Sequence, residues 1–223
     1  MWRVMIVAML LCAVGGVRAQ DPLKTLPKNY WVEFEDPWVR VVHVHYGAGE
    51  RVPVHDHPKT PTLYVYLSDA GPVKFVHTDD DDSILVRRAV RTGQWRLSPG
   101  REEIHRVESL SKTASDFLRV EFKTLALHLD SLHARGTEAG EDFWKHPNRV
   151  EFEDAHVRVL RVGVLPGEKD VVLSGGARDV VLAVRVRGVV VGGKKAHPGE
   201  AWDSAVKASA GESRGEFLRV ELK

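Results

Sequence analysis

The strongest chemical signal in the chain is a pair of histidines, His55 and His57, in the segment 49–58. Residues two apart in an extended strand point to the same face, so the two imidazoles can be directed at one point. Neutral imidazole is the commonest metal ligand among side chains. Two ligands do not make a site, so the pair predicts a metal centre that takes a further ligand from elsewhere in the chain.

The best candidate for the third ligand is His105, in the segment 95–108. Three neutral imidazoles suit one divalent transition metal, and they leave iron, manganese, zinc, nickel and copper all open. They also leave a coordination position free for water or substrate, which distinguishes a catalytic from a structural site. The alternative is that His55 and His57 are solvated loop histidines.

Length and composition restrict the class of protein. At 223 residues, with 43% hydrophobic residues, the chain can bury a substantial core as one large domain or two small ones. Lysine and arginine (32) nearly balance aspartate and glutamate (31). Nucleic-acid-binding proteins normally carry a basic patch or stripe, so no nucleic-acid partner is expected.

The segment 1–19 has the layout of a secretory signal peptide. Arg3 is positively charged, residues 4–14 form a short apolar run, and Ala19 is a small residue at the expected cleavage point. A permanent membrane helix needs roughly 20 residues, and an uncleaved N-terminal anchor is the alternative. We therefore expect an exported protein, periplasmic or secreted, with no membrane contact after cleavage. The single cysteine, Cys12, lies in this segment, which excludes disulfides and thiolate ligands in the mature chain.

The chain contains an internal repeat. The segment 32–42 recurs at 150–160, an offset of 150 minus 32, or 118 residues. Near the ends, 117–123 matches 217–223. Self-similarity of this kind indicates two homologous structural units.

Most of the remaining pattern indicates β structure. Short segments rich in β-branched and aromatic residues, such as 39–46 and 62–67, are separated by clusters of glycine, proline and aspartate. Many short strands at regular spacing favour an antiparallel sandwich or barrel. The segment 125–134 is the exception, because its leucines have roughly helical spacing. The aspartates of 79–82 are interpreted as a solvated hairpin tip, with a calcium loop as the alternative.

Two motifs resemble those of the cupin superfamily. A G-x5-H-x-H pattern runs from Gly49 to His57, and a second pattern runs from Pro99 to His105. The second fits only with its first glycine, Gly93, one place early and one extra residue before the histidine. With the repeat, the chain resembles a bicupin that has an intact motif in its first unit only.

The resemblance implies an all-β fold of two cupin-type double-stranded β-helix (jelly-roll) barrels in tandem, with a short helical connector. The N-terminal barrel would span 20–123 and hold the metal site. The connector would span 124–148, and a degenerate C-terminal barrel 149–223. The family habit, together with exposed barrel edges, also allows a homodimer.

The first unit departs from the family pattern at one ligand. The family's glutamate should fall at position 61 or 62, where this chain has Pro61 and Thr62. The resemblance then implies a three-histidine set, as in thiol dioxygenases. Glu103 or Glu108 can approach from the second motif, most simply to support a ligand histidine by a hydrogen bond.

The second unit departs further. His55 and His57 correspond to Leu173 and Gly175 there, so no metal is expected in that barrel. Its expected contribution is structural, by covering the edge strands of the first barrel and adding core.

Other residues near the motifs are weaker candidates. Three aromatic residues can line the pocket beside the metal or equally be core or surface residues: Tyr64, Tyr66 and Trp95. His43 and His45 form a second His-x-His pair, but neither counterpart in the repeat is a histidine. We therefore expect no ligand role for that pair.

These patterns predict a metal-binding protein with a small-molecule ligand or substrate. By resemblance to three-histidine cupins, the first hypothesis is a metal-dependent oxygenase that acts on a small organic substrate. The alternatives are a non-catalytic metal or small-ligand binding protein, and a structural module without metal. The sequence identifies no catalytic residue, and Glu103 is the nearby carboxylate to test as an acid or base. The fold cannot decide between these functions, because one fold hosts many.

Overall fold

The computed structural model describes residues 20–78, 83–100, 102–125, 134–174, 176, 178–203 and 205–223. The expected signal peptide at 1–19, the aspartate run at 79–82 and residues 126–133 of the expected helical connector lie outside these residues. The helices in the described part of the chain are short, and none is long and apolar enough to cross a membrane.

The N-terminal unit is a sandwich of two antiparallel sheets that follows the short helix α1 (Pro22–Thr25). Its strands are β1 (Tyr30–Glu35), β2 (Val39–Tyr46), β3 (Arg51–His57), β4 (Thr62–Tyr66), β5 (Val73–His77), β6 (Ile84–Arg87), β7 (Trp95–Ser98), β8 (Glu103–Ser109) and β9 (Ser115–Phe122). One sheet has the order β1-β2-β9-β4-β7 and is extended at its edge by β10 (Arg135–Gly136). The other has the order β3-β8-β5-β6. Strands distant in sequence are therefore neighbours, as in a jelly roll.

The C-terminal unit repeats this arrangement strand for strand after helix α2 (Glu141–Lys145). Its strands are β11 (Asn148–Glu153), β12 (Val157–Val164), β13 (Val171–Val172), β14 (Asp179–Arg185), β15 (Val189–Val191), β16 (Lys194–Lys195), β17 (Ala201–Trp202), β18 (Lys207–Ala210) and β19 (Gly215–Leu222). The sheet orders are β11-β12-β19-β14-β17 and β13-β18-β15-β16. A β-bulge also recurs, between Val32 and Phe34 in β1 and between Val150 and Phe152 in β11. The predicted all-β fold of two jelly-roll barrels in tandem is confirmed.

The large sheets of the two units pack against each other face to face. Alternate residues of a strand point to opposite faces, and the outward face of each large sheet is mostly aliphatic. These residues form one shared core: Val39, Val41, Leu63, Val65, Leu67, Trp95, Leu97, Leu118, Val120 and Phe122 with Val157, Val159, Val180, Leu182, Val184, Leu218 and Val220. The second unit therefore adds core, as expected, but it covers a sheet face where edge strands were expected.

The interiors of the two barrels differ in polarity. The first interior combines an aromatic and aliphatic cluster with buried polar side chains, among them His55 and Arg119. The hydrophobic cluster of the second consists mainly of aliphatic residues with Phe217, and its buried Ser174 donates a hydrogen bond to Asp179. Leu173 is fully buried there, at the position equivalent to His55. The two homologous barrels therefore share one strand order but differ in their interior side chains.

Candidate metal centre

Adjacent strands bring the three predicted histidines together. His55 and His57 lie on β3 and His105 lies on β8, and the antiparallel register places His55 directly opposite His105. All three are buried. One ring nitrogen of each lies within 4.8 Å of those of the other two. The three imidazoles therefore converge inside the first barrel.

The turn before β8 requires a glycine. Gly100 has a φ of +79°, in the left-handed region where a side chain is strained. A Cβ at this position would also overlap the carbonyl group of Thr60. This close approach packs the turn before β8 against the loop between β3 and β4.

Hydrogen bonds set the tautomer of His55. Its Nδ1 lies 2.8 Å from the carbonyl oxygen of Pro53, which can only accept, so Nδ1 carries the proton. The lone pair is then on Nε2, which accepts a hydrogen bond from the Tyr30 hydroxyl at 2.8 Å. Burial, followed by the effect of Tyr46, raises the pKa of Tyr30 well above its usual value, so the phenol stays protonated. His55 therefore presents its ligating nitrogen to the barrel interior.

The local environment keeps two of the histidines neutral. Burial lowers the pKa of His55. Burial, followed by the positive charge of Arg119, lowers the pKa of His57 well below 6.5. A metal binds the deprotonated imidazole nitrogen, so a lowered pKa reduces competition from protons.

This donor set fits a divalent transition metal. Imidazole suits zinc, copper, iron and nickel. Nitrogens bound at about 2.1 Å to one ion are at most about 4.2 Å apart, so small side-chain rotations suffice to bring the three together. The Tyr30 hydroxyl would have to release Nε2 of His55. The Tyr46 oxygen, 2.7 Å from it, offers an alternative acceptor.

Of the two glutamates expected to support a ligand histidine, one lies at the site. The carboxylate of Glu103 is 3.6 Å from Nδ1 of His105, an ion-pair distance longer than a hydrogen bond. Glu108 is an odd number of residues further along β8, which turns it to the outer face. It pairs there with Arg51 at 3.2 Å and Lys74 at 3.8 Å. The structure therefore corrects the expectation for Glu108.

The histidines face a cavity that opens to solvent. The cavity combines aromatic, aliphatic and charged side chains: Tyr46, His57, Tyr64, Phe75, His77, Leu85, Arg87, Arg96, Glu103, His105, Phe117 and Arg119. The three arginines were not singled out from the sequence. Arg87, Arg96 and Arg119 alternate along their strands with apolar residues of the opposite face. This alternation is the sequence signal that could have placed their side chains inside the first barrel.

The three candidate aromatic residues have different positions. Tyr64 lines the cavity. Tyr66 is buried on the same face of β4, with its hydroxyl 3.3 Å from Nε of Arg96. Trp95 faces the second unit, where its Nε1 donates to the carboxylate of Glu151 at 2.5 Å. Of the two alternatives left open for Trp95, the core position is therefore the one observed, because β7 turns its odd-numbered residues to the shared core.

A fourth histidine extends the row across the small sheet. His77 on β5 lies opposite His105, which in turn lies opposite His55. The ring centroids of His77 and His105 are 5.5 Å apart. No short-range spacing connects His77 with the motifs, so only the pairing of distant strands reveals its place in the cavity wall.

A scan against protein-family models and a search of curated proteins find no match. Solved structures do match. The bacterial pirin YhhW from Escherichia coli, in complex with nickel(II), aligns at 18% identity with 86% of this chain and 90% of its own, at a TM-score of 0.53. Salicylate 1,2-dioxygenase from Pseudaminobacter salicylatoxidans aligns at 13% identity with 86% of this chain and 76% of its own, at a TM-score of 0.50. A cupin domain from Bordetella pertussis aligns at 21% identity with 43% of this chain and 92% of its own, at a TM-score of 0.36.

The jelly-roll strand order of both units, together with matches that extend over both, decides the assignment. The chain has the fold of the cupin superfamily. It contains the cupin barrel twice, as the resemblance of the two motifs and the repeat predicted. The first cupin barrel contains the histidine cluster, and in the second a leucine, Leu173, stands at the position of His55.

The second His-x-His pair lies outside the cavity of the first cupin barrel. His43 lies between Glu33 at 3.0 Å and Asp116 at 3.4 Å, and His45 shares Asp116 at 2.8 Å. Burial lowers the pKa of His43, but its hydrogen bonds to the two carboxylates outweigh burial and raise the pKa overall. Both histidines therefore have carboxylate partners on the face between the two barrels.

Proposed function

We propose that this chain is an exported metal-binding bicupin whose first barrel holds one divalent transition metal at His55, His57 and His105. We further propose that it acts as a metal-dependent oxygenase on a small organic substrate. The observation that carries the proposal is the convergence of three buried imidazole nitrogens, within 4.8 Å of one another, beside a cavity lined by aromatic and charged side chains. Three protein ligands leave room at the ion for a substrate.

The residues around the ligands have separable roles in this proposal. Bound there, a redox-active ion would supply electron-transfer and Lewis-acid chemistry. Pro53 holds the proton of His55 on Nδ1 and so directs Nε2 into the barrel. The carboxylate of Glu103 lies 3.6 Å from Nδ1 of His105, close enough to help to orient that ring.

Two structural neighbours support this choice without deciding it. One is a pirin in complex with nickel(II), and the other is a salicylate 1,2-dioxygenase. The fold is therefore compatible both with metal binding and with oxygenation, although one fold hosts many functions. The identity of the metal in this chain is left to measurement.

A non-catalytic metal or small-ligand binding protein is the second candidate. One observation favours it: among the described cavity residues, the single carboxylate is Glu103. A reaction that needs both a general acid and a general base would have few groups to use. Turnover separates the two candidates.

The experiment begins with the mature chain from Gln20, produced without a histidine tag. Metal content is measured by mass spectrometry for the wild type, for His57→Ala and for the control His156→Ala, whose histidine is exposed in the second unit. About one equivalent of metal, lost in His57→Ala and kept in His156→Ala, is the expected result. Absence of metal after reconstitution, or equal metal in both variants, contradicts the site.

Oxygen consumption with a panel of small organic compounds then tests the oxygenase. Metal-dependent uptake that His57→Ala abolishes supports it. A metal-loaded protein that consumes no oxygen with any compound it binds supports the binding protein instead.

Export is a separate part of the proposal and is supported by the residue pattern of 1–19. The full-length chain is expressed in a Gram-negative host, and the intact mass of the protein in the periplasmic fraction is measured. A mass that corresponds to a start at Gln20 is expected. Retention of the full-length chain in the cytoplasm contradicts export.

A further inference from the structure

Three arginines converge on the cavity beside the histidines. Arg96 on β7 and Arg119 on β9 both lie opposite Tyr64 on β4, one on each side. Directly opposed residues point to the same face of a sheet. The guanidinium of Arg96 lies 3.8 Å from the centroid of the Tyr64 ring, and that of Arg119 lies 5.5 Å from it. One tyrosine thus holds two cationic groups in the same wall.

Arg87 reaches the cavity from the end of β6, in the opposite sheet. Its guanidinium lies 5.0 Å from the ring centroid of Tyr66 and 5.3 Å from that of Phe117. Its terminal nitrogen also lies 3.3 Å from the hydroxyl of Ser115. A guanidinium stacked on an aromatic face is fixed in orientation while its N–H edge remains available to a ligand.

The charges in this wall are unbalanced among the described lining residues. Arg87, Arg96 and Arg119 face a single lining carboxylate, Glu103. Glu121 lies 3.4 Å from Arg119, but it is shared with an outer arginine at 3.8 Å. The Nε atoms of Arg87 and Arg119 are buried and have no hydrogen-bond acceptor within the described part of the chain. Buried donors and charges without partners are costly, so this wall favours an anionic ligand.

We infer that the cavity binds a small organic carboxylate, with its carboxylate group on the arginines and its apolar body against Phe75, Leu85 and Phe117. This inference rests on the proposed function and names the substrate class of the same site. The planar guanidinium fork matches the two oxygens of a carboxylate. The apolar residues require an organic body, because a bare inorganic anion would leave them uncovered. The histidines border the same cavity, so the bound carboxylate lies beside the metal centre.

The test uses benzoate as the probe and benzamide as its neutral counterpart of equal size. Both are titrated by ligand-observed NMR against the mature chain as purified and again after chelation. We expect a dissociation constant of about 1 mM or lower for benzoate and binding at least about tenfold weaker for benzamide. Inorganic phosphate is the third arm. Phosphate that binds as tightly as benzoate, or benzamide that does so, overturns the inference.

Two variants and one control locate the site. Arg96→Gln removes one charge and is expected to weaken benzoate binding about tenfold or more without changing benzamide binding. Arg119→Gln is expected to have the same effect. Because Arg119 is buried, circular dichroism checks that this variant still folds. If it does not fold, the result for Arg96→Gln alone tests the inference. Arg106→Gln, on the outer face of β8, is the matched control and is expected to bind as the wild type does. Wild-type affinity in Arg96→Gln overturns the inference.

Metal content measured on the same samples separates this inference from the proposed function. Benzoate binding that depends on Arg96 in a protein that takes up no metal refutes the metal centre and supports the carboxylate site. A metal-loaded protein that does not distinguish benzoate from benzamide refutes the carboxylate site and leaves the metal centre standing.

Discussion

A buried arginine between the two barrels leads to a quantitative stability prediction. Arg161 on β12 is fully buried. Its guanidinium donates to Glu151 at 2.8 and 2.9 Å, to the carbonyl oxygens of Gly93 at 2.8 Å and Thr137 at 2.6 Å, and to Glu216. Gly93 belongs to the first barrel and Thr137 to the connector. One side chain therefore links the second barrel to the rest of the chain.

Replacement of Arg161 by leucine removes a donor from two buried carboxylates and two carbonyl groups. Glu151 keeps Arg149 and Trp95 as donors, and Glu216 keeps Arg185. Removal of one partner from a buried ion pair costs about 3–5 kcal/mol. At about 2–4 °C per kcal/mol for a chain of this size, the melting temperature should fall by about 6–20 °C. Burial raises the pKa of Glu151, but Arg161 outweighs burial and lowers the pKa overall. The ion pair of Arg161 with ionised Glu151 therefore stabilises the folded chain above a pH of about 4.5, and this stabilisation is lost as the pH falls through the folded pKa. The difference in stability between variant and wild type should be larger at pH 7 than at pH 4.

Thermal and urea unfolding, followed by circular dichroism at both pH values, checks this prediction. The matched control is Arg158→Leu on the same strand, whose partly exposed side chain pairs with Glu153 at 3.1 Å and Glu221 at 3.2 Å. Exposed ion pairs contribute little, so the control should change stability much less. Equal effects of Arg161→Leu and the control would refute this role of the buried cation.

Three further predictions concern other positions. His43→Leu should flatten the pH dependence of stability. The pKa of His43 is raised in the folded state, so protonated His43 stabilises the wild type below pH 6.5, and this stabilisation is lost as the pH rises through the folded pKa. Urea unfolding from pH 5 to pH 9 measures the dependence, and an unchanged pH profile contradicts the prediction. Gly100→Ala should cost about 1–3 kcal/mol from backbone strain alone and reduce metal content, because a Cβ meets the backbone of Thr60; unfolding and metal analysis test both effects. Leu173→Ala should cost about 2–5 kcal/mol through a cavity in the second barrel and leave metal content unchanged, whereas lost metal would show that the first barrel depends on it.

Much of the fold was predictable from the sequence because the repeat is direct evidence of duplicated structure. The segments 32–42 and 150–160 are equally long and align without a gap, and their strands contain the same bulge. The way in which the units pack was not predictable. Outward-facing residues such as Val65 and Leu182 are as apolar as an ordinary barrel interior, and alternation alone does not say which face meets the other unit.

The candidate site was predictable where ligands are close in sequence. His55 and His57 follow from their spacing on one strand, and His105 follows from a motif. Glu108 was misplaced, and Trp95 could not be assigned to the pocket or the core, because a shift of one residue turns a side chain to the other face of its strand. The arginine wall was missed for a different reason. Arg96 and Arg119 become neighbours only because β7 and β9 both pair with β4.

The central claim is that the first barrel binds one metal ion through three histidines. Crystals of the mature, metal-reconstituted chain, measured above the absorption edge of the bound metal, test it most directly. We predict one anomalous difference peak within about 2.0–2.3 Å of a ring nitrogen of each of His55, His57 and His105. A peak at any other group of side chains, or no peak in ordered crystals of the reconstituted protein, would contradict the claim.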